Sequence, residues 1–276
     1  MLELISEKTQ SLKEFTENHY AQASFYWTAL LKNRDIKVNG KRVGADVRLF
    51  TGDVVSYYLT PKQAERAAFY PVYEDENVLV VDKESGVNSE AVFAELARKG
   101  ECYFIHRLDR NTTGLLIFAR NPKTEKALLK AFKDKKVEKK YHALCFGVFP
   151  KDKDVLTAYL KKNADSALAK VYDTPVNGAE KIITEYKVLE RRGECARVEV
   201  TLHTGKTHQI RAHLAHIRCP IVGDMKYGIT VQNKALKRAR QCLTAKSLHL
   251  KMEGEFAYLN ALKWTSKFEA EFPEMD

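Results

Sequence analysis

The sequence predicts an α+β protein with a mixed, largely antiparallel sheet flanked by helices, and a small α/β module at its N-terminus. Two observations predict this class: candidate strands outnumber candidate helices, and several of these strands follow one another directly. A length of 276 residues and a hydrophobic content of 45% allow one large core and a small additional unit.

The N-terminal module is expected over residues 1–60. Residues 11–19 and 24–32 are predicted as two short helices. Residues 36–40 alternate in polarity and end in Asn-Gly, which is typical of a hairpin, and another strand region follows at 48–58.

A linker is expected at residues 61–71, because this polar stretch begins and ends with proline. The larger domain then covers residues 72–276. Helices are expected at 91–98 and at 123–135, the second capped by Asn121-Pro122. Its candidate strands are apolar runs at residues 78–81, 115–119, 141–148, 182–189 and 196–203.

Composition favours a phosphate-rich partner. Lys and Arg number 46 against 36 Asp and Glu, which gives a formal charge of +10 and a pI near 9.2. No apolar run approaches the roughly 20 residues of a membrane span, and the N-terminus lacks the pattern of a secretory signal, so a cytoplasmic location and no membrane contact are expected.

Cysteines and histidines do not indicate a metal site. The five cysteines contain no Cys-x-x-Cys pair and are expected to be reduced thiols. A zinc site remains a minor alternative, because four histidines lie close together, although no cysteine or acid completes a familiar spacing. These histidines are His203, His208, His213 and His216.

The segment from His106 to Leu115 is the most informative in the chain. It places Asp109 between Arg107 and Arg110, just before a polar turn and an apolar strand. A carboxylate at the end of a buried strand is held rigidly, and two neighbouring cations would keep it ionised and contact a polyanion. Asp109 is therefore a candidate catalyst, and a surface Arg-Asp-Arg cluster without chemistry is the alternative.

A second segment places a cation beside a helix. Residues 197–203 alternate as a half-buried strand, and Thr207 is expected to cap a helix whose inner face carries Ile210. Arg211 lies about 100° from Ile210 around this helix. Arg211 could pair with a carboxylate or phosphate through two hydrogen bonds, or extend over the core with its head in water.

A third segment, Val137 to Tyr141, delivers a tyrosine to the start of an apolar strand after a charged run. Tyr141 could stack on a base, or it could be a tyrosine at a strand edge with its hydroxyl in water.

Together these three segments resemble the RluA family of RNA pseudouridine synthases. The family's catalytic segment is similar to His106-Arg107-Leu108-Asp109-Arg110 followed by Thr113-Gly114, and its tyrosine motif to Lys140-Tyr141. Its arginine motif is similar to the run from His203 to Arg211, which leads to Pro220-Ile221-Val222-Gly223-Asp224. Residues 1–60 resemble the alpha-L RNA-binding module.

The chain departs from the family pattern in three places. Where many relatives carry Lys-Pro-x-Gly, this chain has Lys83-Glu84-Ser85-Gly86. Lys206 stands where arginine is usual, and Thr112-Thr113 replaces the commoner Thr-Ser. The departures bear on the choice of target more than on activity.

The resemblance implies a pseudouridine synthase fold and the isomerisation of uridine in RNA, with no cofactor or metal. Asp109 would be the essential carboxylate, Arg211 would pair with it, and Tyr141 would stack on the target uracil. The substrate pocket would be lined by Ile210, His106, Leu108, Thr113 and Gly114.

RNA is the implied partner, ribosomal RNA in preference to transfer RNA, with no obligate protein partner. A uracil inside a helix must be extruded before it can react, and Arg107 would occupy the vacated space. The other expected RNA contacts are Arg110, Lys206, His208, Gln209, Lys32, Lys37, Lys41 and Arg42.

Two other functions stay open from the sequence. The first is a catalytically inactive RNA-binding or ribosome-assembly factor of the same fold. The second is a hydrolase that pairs Asp109 with another acid, such as Glu138 or Asp224.

Overall fold

A computed structural model describes residues 1–162 and 168–273. The chain divides into two compact units, Met1–Arg110 with Leu116–Glu125 and Asn111–Leu115 with Lys126–Asp276. The division of the chain into a module over 1–60, a linker over 61–71 and a domain over 72–276 stays a prediction. The last three residues of that domain lie outside the described residues.

The first unit contains most of the helices. Its elements are β1 (Leu2–Ile5), β2 (Gln10–Ser11), α1 (Leu12–His19), α2 (Ala21–Phe25), α3 (Trp27–Asn33), β3 (Ile36–Val38), β4 (Lys41–Val43), β5 (Arg48–Leu49), β6 (Val54–Tyr57), α4 (Pro61–Ala64), β7 (Phe69–Glu74), β8 (Val78–Lys83), α5 (Ser89–Ala97) and β9 (Tyr103–Phe104). β10 (Thr113–Ala119) and α6 (Pro122–Lys133) are each divided between the two units.

The second unit is mostly sheet. Its remaining elements are β11 (Val137–Phe146), β12 (Lys153–Lys162), β13 (Ala169–Tyr172), β14 (Glu180–Arg192), β15 (Cys195–Leu202), α7 (Gln209–His216), α8 (Thr230–Ala235), β16 (Leu243–Leu250), a 3₁₀ helix (Gly254–Ala261) and β17 (Lys263–Thr265).

The first sixty residues form a core of their own. Ser11 caps α1 by accepting a hydrogen bond from the Glu14 amide at 3.0 Å. Asn39 and Gly40 both have positive φ and form the tight turn of the expected hairpin, β3 to β4. The helix expected over residues 24–32 is instead two helices, α2 and α3, because the backbone leaves helical geometry at Tyr26. The buried core residues are Leu12, Phe15, Ala23, Leu30, Ile36, Leu49, Val55 and Tyr57.

The rest of the first unit positions the loop that carries Asp109. β7 and β8 pair antiparallel, and β8 is buried along its whole length. β9 pairs antiparallel with the end of β10 at Phe118 and Ala119. The loop with Asp109 therefore connects the short strand β9 to the buried strand β10.

The second unit is built on an antiparallel sheet in the order β13-β12-β14-β15-β11-β16, with β17 beside β16. The start of β10 pairs parallel with β16 through Thr113 and Gly114. The expected mixed, largely antiparallel sheet is confirmed. Four strands of this unit, β12, β13, β16 and β17, were not predicted from the sequence.

α7 begins differently from the expected helix. Its N-cap is His208, in the left-handed region at φ 58°, so the prediction that Thr207 caps this helix is wrong.

Within residues 1–162 and 168–273, no helix is both long enough and apolar enough to cross a membrane.

Candidate active site

Asp109 lies half-buried in the loop between β9 and β10. The residue before it is fixed at both backbone groups by one buried hydroxyl. Ser89 Oγ accepts a hydrogen bond from Leu108 N at 3.0 Å and donates one to Leu108 O at 3.2 Å. Ser89 is itself fully buried at the start of α5. The position of Asp109 is thus tied to a helix terminus.

A buried ammonium fixes the same loop on its other side. Lys83 Nζ donates to the backbone oxygens of Glu84 at 2.9 Å, Val87 at 2.9 Å and Arg110 at 3.1 Å. Burial lowers the pKa of Lys83 to about 7, while the carboxylate of Asp109 acts in the opposite direction. In the sequence, Lys83 stands out only as part of a departure from the family pattern.

The two arginines beside Asp109 have different surroundings. Arg107 is exposed, and its guanidinium lies 3.1 Å from Glu90 Oε1. Arg110 donates through Nε to Gly86 O at 3.1 Å and forms an ion pair with Glu17. Arg107 is therefore placed on the surface as an RNA contact requires, whereas Arg110 is held by protein groups.

The expected pocket residues of this segment are tied into strands. Ile117 N donates to His106 Nε2 at 3.2 Å, and Leu108 is buried. Thr113 Oγ1 lies 2.8 Å from Thr244 Oγ1. Gly114 has φ +108°, and a Cβ there would lie 2.3 Å from Ala245 O, so β10 and β16 can approach this closely only at glycine. The role of these four residues in a uracil pocket stays a prediction.

Tyr141 lies inside the sheet and not at its edge. β11 runs between β15 and β16, with Val200 and Ala245 opposite Tyr141. The side chain is 7% exposed. The alternative of a strand-edge tyrosine with its hydroxyl in water is therefore wrong.

The start of α7 is organised by a buried amide. Gln209 Nε2 donates to Ile183 O at 3.1 Å and to Thr184 Oγ1 at 3.0 Å. Its Oε1 accepts hydrogen bonds from Thr204 Oγ1 and Lys206 N. At 2% exposure, Gln209 orders the turn before the helix, and its burial argues against the RNA contact expected for it. Ile210, the next residue, is also buried.

Arg211 forms a bidentate pair with Asp224. Nε donates to Oδ2 at 2.7 Å and Nη2 to Oδ1 at 2.9 Å, and both side chains are almost completely buried. Asp224 Oδ1 also accepts from the amides of Lys226 and Tyr227. Burial raises the pKa of Asp224, but these hydrogen bonds outweigh it, so the pKa lies below its usual value.

This pair decides between the alternatives left open for Arg211. The side chain binds a carboxylate through two hydrogen bonds and does not extend into water. The pairing of Arg211 with Asp109 stays a prediction. Asp224 is buried and bound to a cation, which does not suit a carboxylate that must activate water, so the geometry argues against Asp224 as the second acid of a hydrolase.

The remaining cations expected to contact RNA lie at the surface of each unit. Lys206 pairs with Glu180, and His208 Nδ1 lies 2.9 Å from the Tyr227 hydroxyl. In the N-terminal module, Lys37 Nζ lies 5.0 Å from the centre of the Tyr58 ring. Of the cations expected to contact RNA among the first sixty residues, Lys32, Lys41 and Arg42 are exposed and Lys37 is half-buried.

The histidines of the second unit do not form a metal site. In the described parts of the chain, no three or more His, Cys, Asp or Glu side chains form a group that could hold a metal ion. His213 Nδ1 lies 2.9 Å from Thr184 Oγ1. Burial lowers the pKa of His213 to about 4, so this residue is a neutral member of the core.

Four residues that bind groups of the predicted site segments were not identified as such from the sequence: Ser89, Lys83, Asp224 and Glu17. Ser89 and Glu17 lie far along the chain from the groups they hold, so no local pattern marks them. Asp224 follows the arginine motif in a Gly-Asp pair, and this acid after a turn was the signal available. A lysine that follows closely on the apolar run Val78–Val81 was the signal for Lys83.

Comparisons with known proteins agree with one another. Residues 77–216 match a family model described as RNA pseudouridylate synthase. A ribosomal large subunit pseudouridine synthase C of Rickettsia bellii is 31% identical, over 72% of this chain and 75% of that protein. A ribosomal large subunit pseudouridine synthase D of Buchnera aphidicola is 28% identical, over 79% of this chain and 77% of that protein.

The fold comparison gives the same class. The structure of human RNA pseudouridylate synthase domain containing 1 is similar with a TM-score of 0.58 and 23% identity, covering 74% of this chain and 91% of that one. At this identity the likeness concerns the fold.

Proposed function

Because the chain belongs to the RNA pseudouridylate synthase family, we propose that it modifies uridines of ribosomal RNA with Asp109 as its essential carboxylate. The chain is an isomerase acting on RNA. In this reaction the N-glycosidic bond of uridine breaks, the uracil turns, and a carbon atom of the base is joined to the ribose. One proton leaves that carbon and one is gained by the released nitrogen, so no oxidant or group donor is needed.

The observation that carries the role of Asp109 is the anchoring of its neighbours. Leu108 is fixed through both backbone groups by Ser89, and Arg110 O is fixed by Lys83. An acid placed between two anchored residues meets the requirement of a nucleophile or charge stabiliser at the anomeric carbon, where a small displacement costs much of the rate.

Tyr141 and Arg211 are proposed to serve the same reaction. A tyrosine on a strand that is paired on both sides is held rigidly, which suits stacking on an extruded uracil and late proton transfer through its hydroxyl. Asp224 uses Nε and Nη2 of Arg211, which fixes the guanidinium plane. A guanidinium whose plane is fixed in this way suits the proposed role of a positioning cation.

Arg107 is proposed to enter the RNA helix when the target base leaves it. Its guanidinium is exposed and two residues from Asp109. Extrusion costs a few kcal/mol of lost stacking and pairing, and a side chain in the vacated space offsets part of that cost. The N-terminal cations would add sequence-independent contacts to phosphates.

Ribosomal RNA is the proposed target because the similar proteins of Rickettsia bellii and Buchnera aphidicola carry large subunit ribosomal names. Cytoplasmic location stays a prediction.

The test is to map pseudouridine in total RNA from cells that lack the gene, complemented by the wild type or by Asp109→Asn. We expect ribosomal sites to disappear in the deletion and to return with the wild type alone. Asp109→Asn keeps the shape of the side chain and removes its charge, and we expect it to lower the rate by about a thousandfold or more. Sites lost only from transfer RNA would overturn the proposed target. Full restoration by Asp109→Asn would overturn the role of Asp109.

A further inference from the structure

The N-terminal part of the first unit binds the side chain of Arg110, the residue that follows Asp109. Arg110 forms an ion pair through Nη1 with Glu17 on α1, and donates through Nη2 to Ser24 Oγ on α2 at 3.3 Å. Its Nε donates to Gly86 O at 3.1 Å. One guanidinium thus joins two helices of the first sixty residues to the turn beneath the Asp109 loop.

Other contacts extend this junction along the same helices. Asn88 Nδ2 donates to Asn18 Oδ1 at 2.9 Å, next to Glu17. Arg98 Nη1 donates to His19 O at 3.2 Å, and Gln22 Nε2 donates to Glu95 Oε2 at 3.2 Å. The partners Asn88, Glu95 and Arg98 lie on or beside α5, the helix whose first residue, Ser89, holds Leu108.

We propose that Glu17 is a positioning residue, and that the N-terminal module uses it to fix the Asp109 loop through Arg110. The inference rests on the family activity and on Asp109 as its carboxylate, not on which RNA is modified. Asp109 and Arg110 share a peptide bond, so the orientation of one backbone limits the other. A charge-assisted bond to a half-buried arginine is among the stronger polar contacts available to such a loop.

This proposal replaces the expectation that Arg110 binds RNA. An arginine that contacts phosphate would be released for binding when Glu17 loses its charge, so RNA affinity would rise. An arginine that positions the loop would lose its anchor instead, so the reaction would slow while affinity stays the same. The two roles therefore predict changes in different measurements: a phosphate contact predicts higher RNA affinity, and a positioning residue predicts a slower reaction.

The first experiment compares Glu17→Gln with Glu14→Gln in the full chain. Glu14 lies on the same helix but is exposed, and its carboxylate lies 3.8 Å from Lys8 Nζ. Single-turnover rates are measured with saturating enzyme, and RNA dissociation constants are measured across a salt series. We expect Glu17→Gln to lower the rate about tenfold, with the dissociation constant and its salt slope unchanged. Glu14→Gln should change neither, and Glu17→Asp should recover part of the rate.

Two outcomes of this experiment overturn the proposal. Tighter RNA binding by Glu17→Gln at an unchanged rate would identify Arg110 as a phosphate contact. Equal rates for Glu17→Gln and Glu14→Gln would identify the ion pair as a surface contact without a role in positioning.

A second experiment needs no substrate. Hydrogen exchange of the backbone amides of residues 105–110 is measured in the RNA-free full chain. We expect faster exchange in Glu17→Gln than in Glu14→Gln or the wild type, with exchange in the second unit unchanged. Unchanged exchange in this loop would overturn the proposal whatever the rates. Because no RNA is present, this result is independent of whether ribosomal RNA is the correct target.

Discussion

The Asp109 loop and the Arg211 helix hold their proposed functional side chains in different ways. The Asp109 loop is anchored through its backbone, by Ser89 on Leu108 and by Lys83 on Arg110. Arg211 already has a helix to fix its backbone, and it is anchored through its own guanidinium by Asp224. Anchoring through the backbone leaves the carboxylate of a reacting acid available for the substrate. A cation that only positions other groups can instead be held through its charged side chain.

The largest effect is expected from Arg211→Met, which breaks the side-chain anchor. The Asp224 carboxylate would remain almost completely buried without its cation, so we expect the free energy of unfolding to fall by about 3–5 kcal/mol. Urea denaturation measures this change. The control is Arg191→Met, because Arg191 pairs with Asp152 at the surface and should cost well under about 1 kcal/mol. Similar losses in the two variants would contradict the assigned role of the Asp224 pair.

Lys83→Met tests the backbone anchor of the other region. The substitution leaves the three carbonyl oxygens that Lys83 holds without that donor, but it also removes a buried ammonium. We expect a loss of about 2–4 kcal/mol in the free energy of unfolding and a fall in turnover of more than about tenfold. Lys62→Met, at an exposed position, is the control for loss of charge. Normal turnover in Lys83→Met would show that the loop keeps its position without this anchor.

The pH dependence of stability should report the same lysine. Burial lowers the pKa of Lys83 to about 7 in the folded chain, whereas the pKa of an unfolded lysine is about 10.4. Between these values the unfolded chain binds more protons, so the free energy of unfolding rises with pH. Nearby charges also shift the pKa of Lys83 in the folded chain. It is raised by the carboxylates of Asp109, Glu84 and Glu90, and lowered by the guanidinium of Arg110.

The measurement is urea denaturation of the wild type and Lys83→Met across this pH range. The difference in unfolding free energy between them should shift in favour of the wild type above about pH 7 and stay constant below it. A difference independent of pH would contradict the lowered pKa of Lys83.

The sequence predicted local features well and distant partners poorly. The alternation in β15 and the Asn-Gly turn after β3 are local patterns, and both elements are present in the structure. Arg110 is held by Gly86, Ser24 and Glu17, which lie 24, 86 and 93 positions before it in the chain. No short window of the sequence contains such partners. Asp224 lies only 13 positions from Arg211, but the family resemblance implied Asp109 as the partner, so Asp224 was not chosen.

The smallest effect is expected from Ser89→Ala, which removes one hydroxyl from the backbone anchor. Leu108 N and Leu108 O would both lose their bond to Ser89 Oγ, and we expect a stability loss of about 1 kcal/mol. Because these groups adjoin Asp109, turnover should fall several-fold while RNA affinity stays the same. Ser247→Ala, on β16 in the second unit, should leave turnover unchanged. If both serine variants keep full turnover, the tolerance of the Asp109 loop is greater than backbone anchoring implies, and the contrast with the Arg211 helix is lost.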